Sequence, residues 1–475
     1  MLFNSFSFAI FLPIVFILYW ALPQRFRWVL LLVSSYYFYM SWNPKYVVLI
    51  LGTTFISYLC ARLLYKTKNQ TTKKLLVLGA LVICLGTLFF FKYFNFFSES
   101  VTQIISLFSI QLSPVTLNVL LPVGISFYTF QTLSYVLDVY RGKVKPEKNF
   151  GVYATFISFF PQLVAGPIER TENLLPQITK PKVFDYDTAT YGLKLMAWGF
   201  FKKLAIADVL GVYVDSAYYS VADCSGYDFV IMILFFTIQI YCDFSGYSDI
   251  AIGTAKLLGI DLMKNFDSPY FSSSIKEFWR RWHISLSTWF RDYVYIPLGG
   301  SRCSKLRNNI NLMITFLVSG LWHGASWTFV IWGGIHGLGQ IVEKYTIGKI
   351  KRDSRIKKIL LTLLVFIFCN ITWVFFRAQN LGEAFAVFAG LFSGITNPLS
   401  LTGGSVSIST LNALGIAICL PLLCVFDYCS LKFDVILKIS ALKKPVRWII
   451  YVLFIWIILV FMPKTNASEF VYFQF

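Results

Sequence analysis

Apolar residues run through this chain in long blocks separated by short polar loops. A block of about 20 apolar residues is what a helix needs to cross the roughly 30 Å hydrocarbon layer of a membrane. Blocks near 6–23, 27–43, 46–65, 75–95, 115–139, 151–166, 188–212, 228–248, 309–322, 326–342, 358–376, 407–428 and 447–463 predict membrane helices. The stretches near 97–112, 271–296 and 380–395 read as amphipathic, re-entrant or short. The pattern predicts an all-α polytopic membrane protein with about 11 full spans. No internal repeat, long hydrophilic block or low-complexity tract interrupts it, so a single transmembrane domain over 1–475 is expected.

Composition agrees with the pattern. Hydrophobic residues make up 57% and charged residues 14%, against about 25% charged in a soluble protein. The remaining polar surface is too small to coat a water-soluble particle of this length. Aromatics reach 19%, which suits a lipid-surrounded bundle with Tyr and Trp at its rims. The formal net charge of +19 would suggest nucleic acid in a soluble chain. Here the Lys and Arg sit in short loops between apolar blocks, so the charge reads as topology and no nucleic acid is expected. Placing those loops in the cytoplasm puts the N-terminus and the tail after Pro463 outside. The start, Met1-Leu2-Phe3-Asn4-Ser5, carries no basic segment, so the first block reads as a permanent helix. The nine Cys include no CxxC pair and read as small core residues.

One segment turns topology into chemistry. Residues 308–343 are flanked by basic loops on both sides, so they enter and leave on the cytoplasmic face. They read as a hairpin broken at Trp322-His323-Gly324-Ala325-Ser326. An arm of about 14 residues rises about 21 Å, less than the membrane thickness. His323 is therefore expected inside the bilayer, where irregular backbone survives only in a protein interior or beside a cavity.

The chain has three His, at 283, 323 and 336. An ionisable group at membrane depth is costly and points to function. His323 is the first candidate: a neutral imidazole can take a proton from a hydroxyl. The alternative is a histidine that only bonds a carbonyl at a helix break. His283 sits among Trp279, Arg280, Arg281, Trp282 and Arg291. Those arginines suit an anionic donor such as a nucleotide phosphate, or else anchor an interfacial helix. His336 lies about 15 Å along the second arm and reads as packing. The His spacing matches no zinc motif, so no metal is expected. Asp243 and Asp249 lie in another apolar block, able to pair with an Arg, to orient a His, or to join two helices. Pro122 to Phe127 and Gln162 to Arg170 are further breaks.

At these residues the chain resembles the membrane-bound O-acyltransferase superfamily. It is most similar to the bacterial branch that holds alginate and peptidoglycan O-acetyltransferases and the teichoic acid D-alanyltransferase. The similarity lies in Met1 to Ser5, Ser126 to Gln131, Pro161 to Arg170, Asp243 to Asp249, Phe278 to Gly300 and Leu321 to His336. The resemblance implies a ring of helices and re-entrant segments around a central tunnel in the bacterial cytoplasmic membrane. It implies acetyl-CoA as the cytoplasmic donor substrate, with no bound cofactor. His323 matches the family's catalytic histidine and His283 its second conserved polar position. The donor would meet Arg280, Arg281, Arg291, Trp322 and Asp243. The acceptor would be an extracytoplasmic glycan, with a secreted or membrane-anchored acetyltransferase completing transfer.

The chain ends Glu469-Phe470-Val471-Tyr472-Phe473-Gln474-Phe475. Similar tails in this branch, each with one Tyr, imply that Tyr472 carries the acyl group. An extended segment from Pro463 reaches about 30 Å, enough to fold back toward a tunnel mouth; the alternative is an aromatic tail lying in the interface. Two other functions remain open from sequence: a glycan or lipid transporter, and acylation of a lipid or peptide by the same fold.

Overall fold

The computed structural model describes residues 1–164, 166–346, 348, 354–396, 404–463 and 470–471. All regular structure among them is helical. Contacts divide the chain into two compact units. One holds Met1–Leu193 with Ala251–Met263, the other Lys194–Ile250 with Lys264–Phe475.

In the first unit the opening residues have a structural task. The Ser5 hydroxyl accepts from the Phe8 N–H and caps the helix Phe6–Ala21, supplying one partner to an otherwise orphaned helix start. Phe3 packs on Phe8 and Phe38 with ring centroids 4.7 and 5.7 Å apart. The expected span 115–139 is helical only over Ile125–Tyr140. It starts after Gly124, whose φ of +75° suits glycine. The Gln162 break is held within this unit by hydrogen bonds to Gln131 Oε1 and the Phe156 carbonyl, both 3.0 Å. Glu169 accepts from the Met263 N–H and the Asn173 amide.

Six helices among the described residues are long and apolar enough to cross a membrane: Pro44–Lys66, Gln70–Ser106, Gly226–Leu257, Arg355–Arg377, Thr410–Ser430 and Lys444–Phe461. Other expected blocks fold as shorter or interrupted helices. The block 188–212 runs as Tyr186–Phe200, a widened π turn over Phe201–Ala207, and Asp208–Tyr219. The block at 271–296 is two short helices, Ile275–Arg281 and Ile284–Phe290, followed by a π turn.

The second unit contains the hairpin. Its first arm is Lys305–His323 and its second is Trp327–Tyr345. The side chain of Ser326 accepts from Thr328 N–H and starts the second arm. The arms run antiparallel: Lys344 donates to Asn308 Oδ1 at 2.7 Å near the base. Higher up, a Cβ on Gly320 would strike the Phe329 carbonyl oxygen, and one on Gly333 would strike the Phe316 carbonyl oxygen. Two glycines facing each other let the backbones touch, the packing used where no hydrophobic drive separates helix from lipid. Each arm has 19 residues, longer than the sequence suggests. The added turns are polar, with Lys305, Arg307, Asn308 and Asn309 in one arm and Glu343 and Lys344 in the other. The rise from Leu312 to His323 is still only about 17 Å.

Candidate active site

His323 is the last residue of the first arm, and its side chain is buried. Its ring is enclosed by Trp322 at 5.0 Å, Trp332 at 5.1 Å and Phe376 at 5.4 Å. His283 lies 6.4 Å away, centroid to centroid, with Trp322 6.1 Å from it on one side. The two histidines singled out in the sequence are therefore neighbours, and Trp322 forms a wall common to both.

His283 joins the two short helices with φ +43°, a left-handed backbone. Such a conformation costs a non-glycine residue about 1–3 kcal/mol and persists only where its surroundings hold it. Asn265 does the holding. Its carbonyl accepts from the Ile284 N–H at 2.9 Å, and its Oδ1 accepts from the Ser285 hydroxyl at 2.7 Å. The same Oδ1 lies 3.3 Å from His283 Nδ1. With Oδ1 as acceptor, Nδ1 carries the proton and Nε2 keeps the ring's lone pair. Asn265 carries no signal of its own in the sequence, lying in a loop before the aromatic motif. Asn265→Ala should weaken the fold by about 1–3 kcal/mol, because buried donors lose their acceptor. Thermal unfolding in detergent, read by intrinsic Trp fluorescence, checks this.

His336 stands apart from this pair. It is fully buried, with Trp332 between it and His323, 5.0 Å from His336 and 5.1 Å from His323. Its Nδ1 accepts from the Trp279 indole at 3.2 Å. The proton therefore sits on Nε2, an arrangement that locks Trp279 and His336 together.

Below His323 the second unit carries a cavity of about 1490 Å³. Ordinary small-molecule sites occupy roughly 300–1,000 Å³, so an extended molecule has room here. Leu312, Thr315, Phe316 and Ser319 of the first arm line it. Residues three, four and seven apart share one helix face, which puts His323 next on this stripe, about 6 Å beyond Ser319. The outer part is basic, lined by Lys276, Arg280, Arg281, Arg291, Lys305, Lys344 and Lys358 against Asp267, Glu277 and Glu343. Arg281 pairs with Glu277 at 2.9 Å and Arg291 with Asp292 at 2.7 Å. Arg280 is exposed. The three arginines expected at a donor site share this one cavity.

Asp243 does not line the cavity. It is buried and pairs with Lys203 at 2.7 Å, while Lys203 also meets Asp208 at 2.8 Å. Asp249 pairs with Lys202 at 2.7 Å, and Lys202 donates to Ser245. The partners of both carboxylates are lysines and not Arg or His, and the pairs join two helical blocks, the third alternative the sequence offered. The helix pair is tight, since a Cβ on Gly199 would sit 2.6 Å from the Gly246 carbonyl oxygen. Lys202 and Lys203 in an otherwise apolar block were the signal for this pairing, because an intramembrane ammonium requires a counter-ion. Removing one partner of such a buried pair costs about 3–5 kcal/mol. Tyr472 lies outside the described residues; Phe470 and Val471 just before it are described and buried.

The buried pair His283 and His323 thus lies at the hairpin break, with His323 four residues past Ser319, the last first-arm residue that lines the basic cavity. Residues 148–381 match the membrane-bound O-acyltransferase family. A probable alginate O-acetylase of Azotobacter vinelandii is 41% identical over 394 residues, 82% of this chain and 77% of that protein. A peptidoglycan O-acetyltransferase of Helicobacter pylori is 37% identical over 426 residues, 82% of this chain and 80% of that protein. A teichoic acid D-alanyltransferase of Streptococcus thermophilus is 30% identical over 284 residues, 55% of this chain and 68% of that protein. The chain belongs to the membrane-bound O-acyltransferase family. It is a multi-pass membrane enzyme, an O-acyltransferase.

Proposed function

We propose that this enzyme takes an acetyl group from cytoplasmic acetyl-CoA and delivers it across the bacterial cytoplasmic membrane for O-acetylation of an extracytoplasmic polysaccharide. Alginate and peptidoglycan are the acceptors named for its relatives. The observation that carries this reading is a basic cavity lined by Leu312, Thr315, Phe316 and Ser319, the helix face on which His323 follows four residues later. Phosphates of the donor bind the cations at the mouth, and the thioester extends along the Leu312–Ser319 face.

The chemistry is one transfer followed by a second. His323 removes the phenol proton of Tyr472, and the phenolate attacks the thioester carbonyl. The carbon–sulfur bond breaks, an aryl ester forms on Tyr472, and the thiolate leaves as CoA thiol after taking up the proton. A phenol with pKa about 10 is a better leaving group than an alcohol, so the ester still drives acyl transfer to a hydroxyl. A secreted or membrane-anchored acetyltransferase completes that step with the N-terminus and tail outside. His283, fixed by Asn265, orients the reacting groups beside His323.

The test is acetylation of the polymer measured together with its export. His323→Ala should abolish acetylation and leave export at the wild-type level. Lost export with normal acetylation means a transporter. For the donor site, Arg280→Glu combined with Lys276→Glu should raise the donor KM by about tenfold or more, since each charged hydrogen bond is worth roughly 1.5–3 kcal/mol. The effect should shrink in 0.5 M salt as screening increases, with kcat nearly unchanged. Steady-state kinetics with radiolabelled acetyl-CoA read both.

A further inference from the structure

The described part of the tail is seated on the long helix Gly226–Leu257. Phe470 and Val471 are 1% and 6% exposed. The Phe470 ring lies 5.4 Å from Phe244 and 5.1 Å from Tyr247, which are three residues apart and share a helix face. The Val471 N–H donates to Oδ2 of Asp243 at 2.8 Å. The other oxygen of that carboxylate, Oδ1, faces Lys203.

Lys203 already has a second carboxylate, Asp208, at 2.8 Å. Two carboxylates thus share this ammonium, and a buried carboxylate requires hydrogen-bond donors. The tail amide supplies one. The seat also adjoins the histidines: Phe244 stands edge-on to His283 at 4.6 Å, and His283 faces His323.

We propose that Asp243, held by Lys203 and Asp208, is the seat of the C-terminal tail and a positioning residue for acyl transfer. Tyr472 follows Val471 by a single peptide step, about 3.8 Å of backbone, so fixing the Val471 amide fixes where Tyr472 begins. The proposal rests on the reading of Tyr472 as acyl carrier.

Asp243→Ala strips a partner from buried Lys203 and threatens folding, so the deciding variant is Val471→Pro, which deletes the donated N–H and leaves the charged cluster whole. In the full-length protein, acetyl transfer should fall at least tenfold. Hydrogen exchange of the C-terminal peptide, read by mass spectrometry, should quicken at least tenfold. Val471→Ala, which keeps the amide, should restore both. Wild-type transfer and exchange in Val471→Pro, with transfer abolished in Tyr472→Phe, overturns the seat and spares the acyl-tyrosine. Unchanged transfer in Tyr472→Phe overturns the acyl-tyrosine, and the exchange measurement still decides whether the tail is seated.

Discussion

His323→Ala is expected to lower kcat/KM for acetyl transfer by roughly 10²–10⁴-fold, the usual contribution of a positioned general base. The donor KM should stay within a few-fold, because the cations proposed to bind the donor line the cavity, whereas the imidazole does not. The loss should therefore appear in kcat. Folding should survive, since the ring is enclosed by Trp322, Trp332 and Phe376 without belonging to the Trp279–His336 pair. A melting temperature near wild type with abolished turnover separates chemistry from stability. Substantial transfer by His323→Ala would remove the base from the mechanism. Asn or Gln at the same position keeps the size of the ring's polar edge but cannot accept a proton at neutral pH, so it should be as inactive as Ala.

The second large effect is expected at the tail. Tyr472→Phe removes one hydroxyl and retains the aromatic ring. If that oxygen holds the acyl group, polysaccharide acetylation should fall to background, and the base-labile acyl label on the C-terminal peptide should disappear. Acetyl-CoA binding should persist, because its proposed determinants are cations of the cavity lining, among them Lys276 and Arg280. Wild-type glycan acetylation in this variant rules out the relay. In cells the comparison with His323→Ala is informative: both should block acetylation and keep donor binding, and only Tyr472→Phe should leave an intact base beside the bound donor.

Much of the architecture was legible because the signals were local. The break at Trp322 to Ser326 showed through small residues in an apolar stretch, and the structure ends the first arm at His323. His283 could be singled out from its aromatic and arginine-rich segment, but its contact with His323 was not legible, since it arises when a left-handed residue at 283 meets the top of the hairpin. Other features are tertiary and left no local mark. Hydropathy reads composition, so it joined 115–124 to the helix at Ile125 and ran through the π turn Phe201–Ala207. The π turn contains neither Gly nor Pro. It aims Lys202 at Asp249 and Lys203 at Asp243, carboxylates far along the chain. Asn265 gave no warning because its role depends on one carbonyl and one amide oxygen meeting a strand of loop and helix starts.

On the proposed location in the cytoplasmic membrane, the aromatic enclosure of His323 has a consequence for the energy economy of the cell. A titratable ring near the middle of a coupling membrane is a stepping stone for protons, and a chain of waters on either side of it would discharge the gradient. Indole and phenyl faces packed at 5.0–5.4 Å offer no relay for hydronium. The same walls would keep hydroxide from an ester formed beside the ring under the proposed mechanism. If acyl groups leave the cell by the proposed route, such walls spare the proton-motive force and the thioester supply a steady drain.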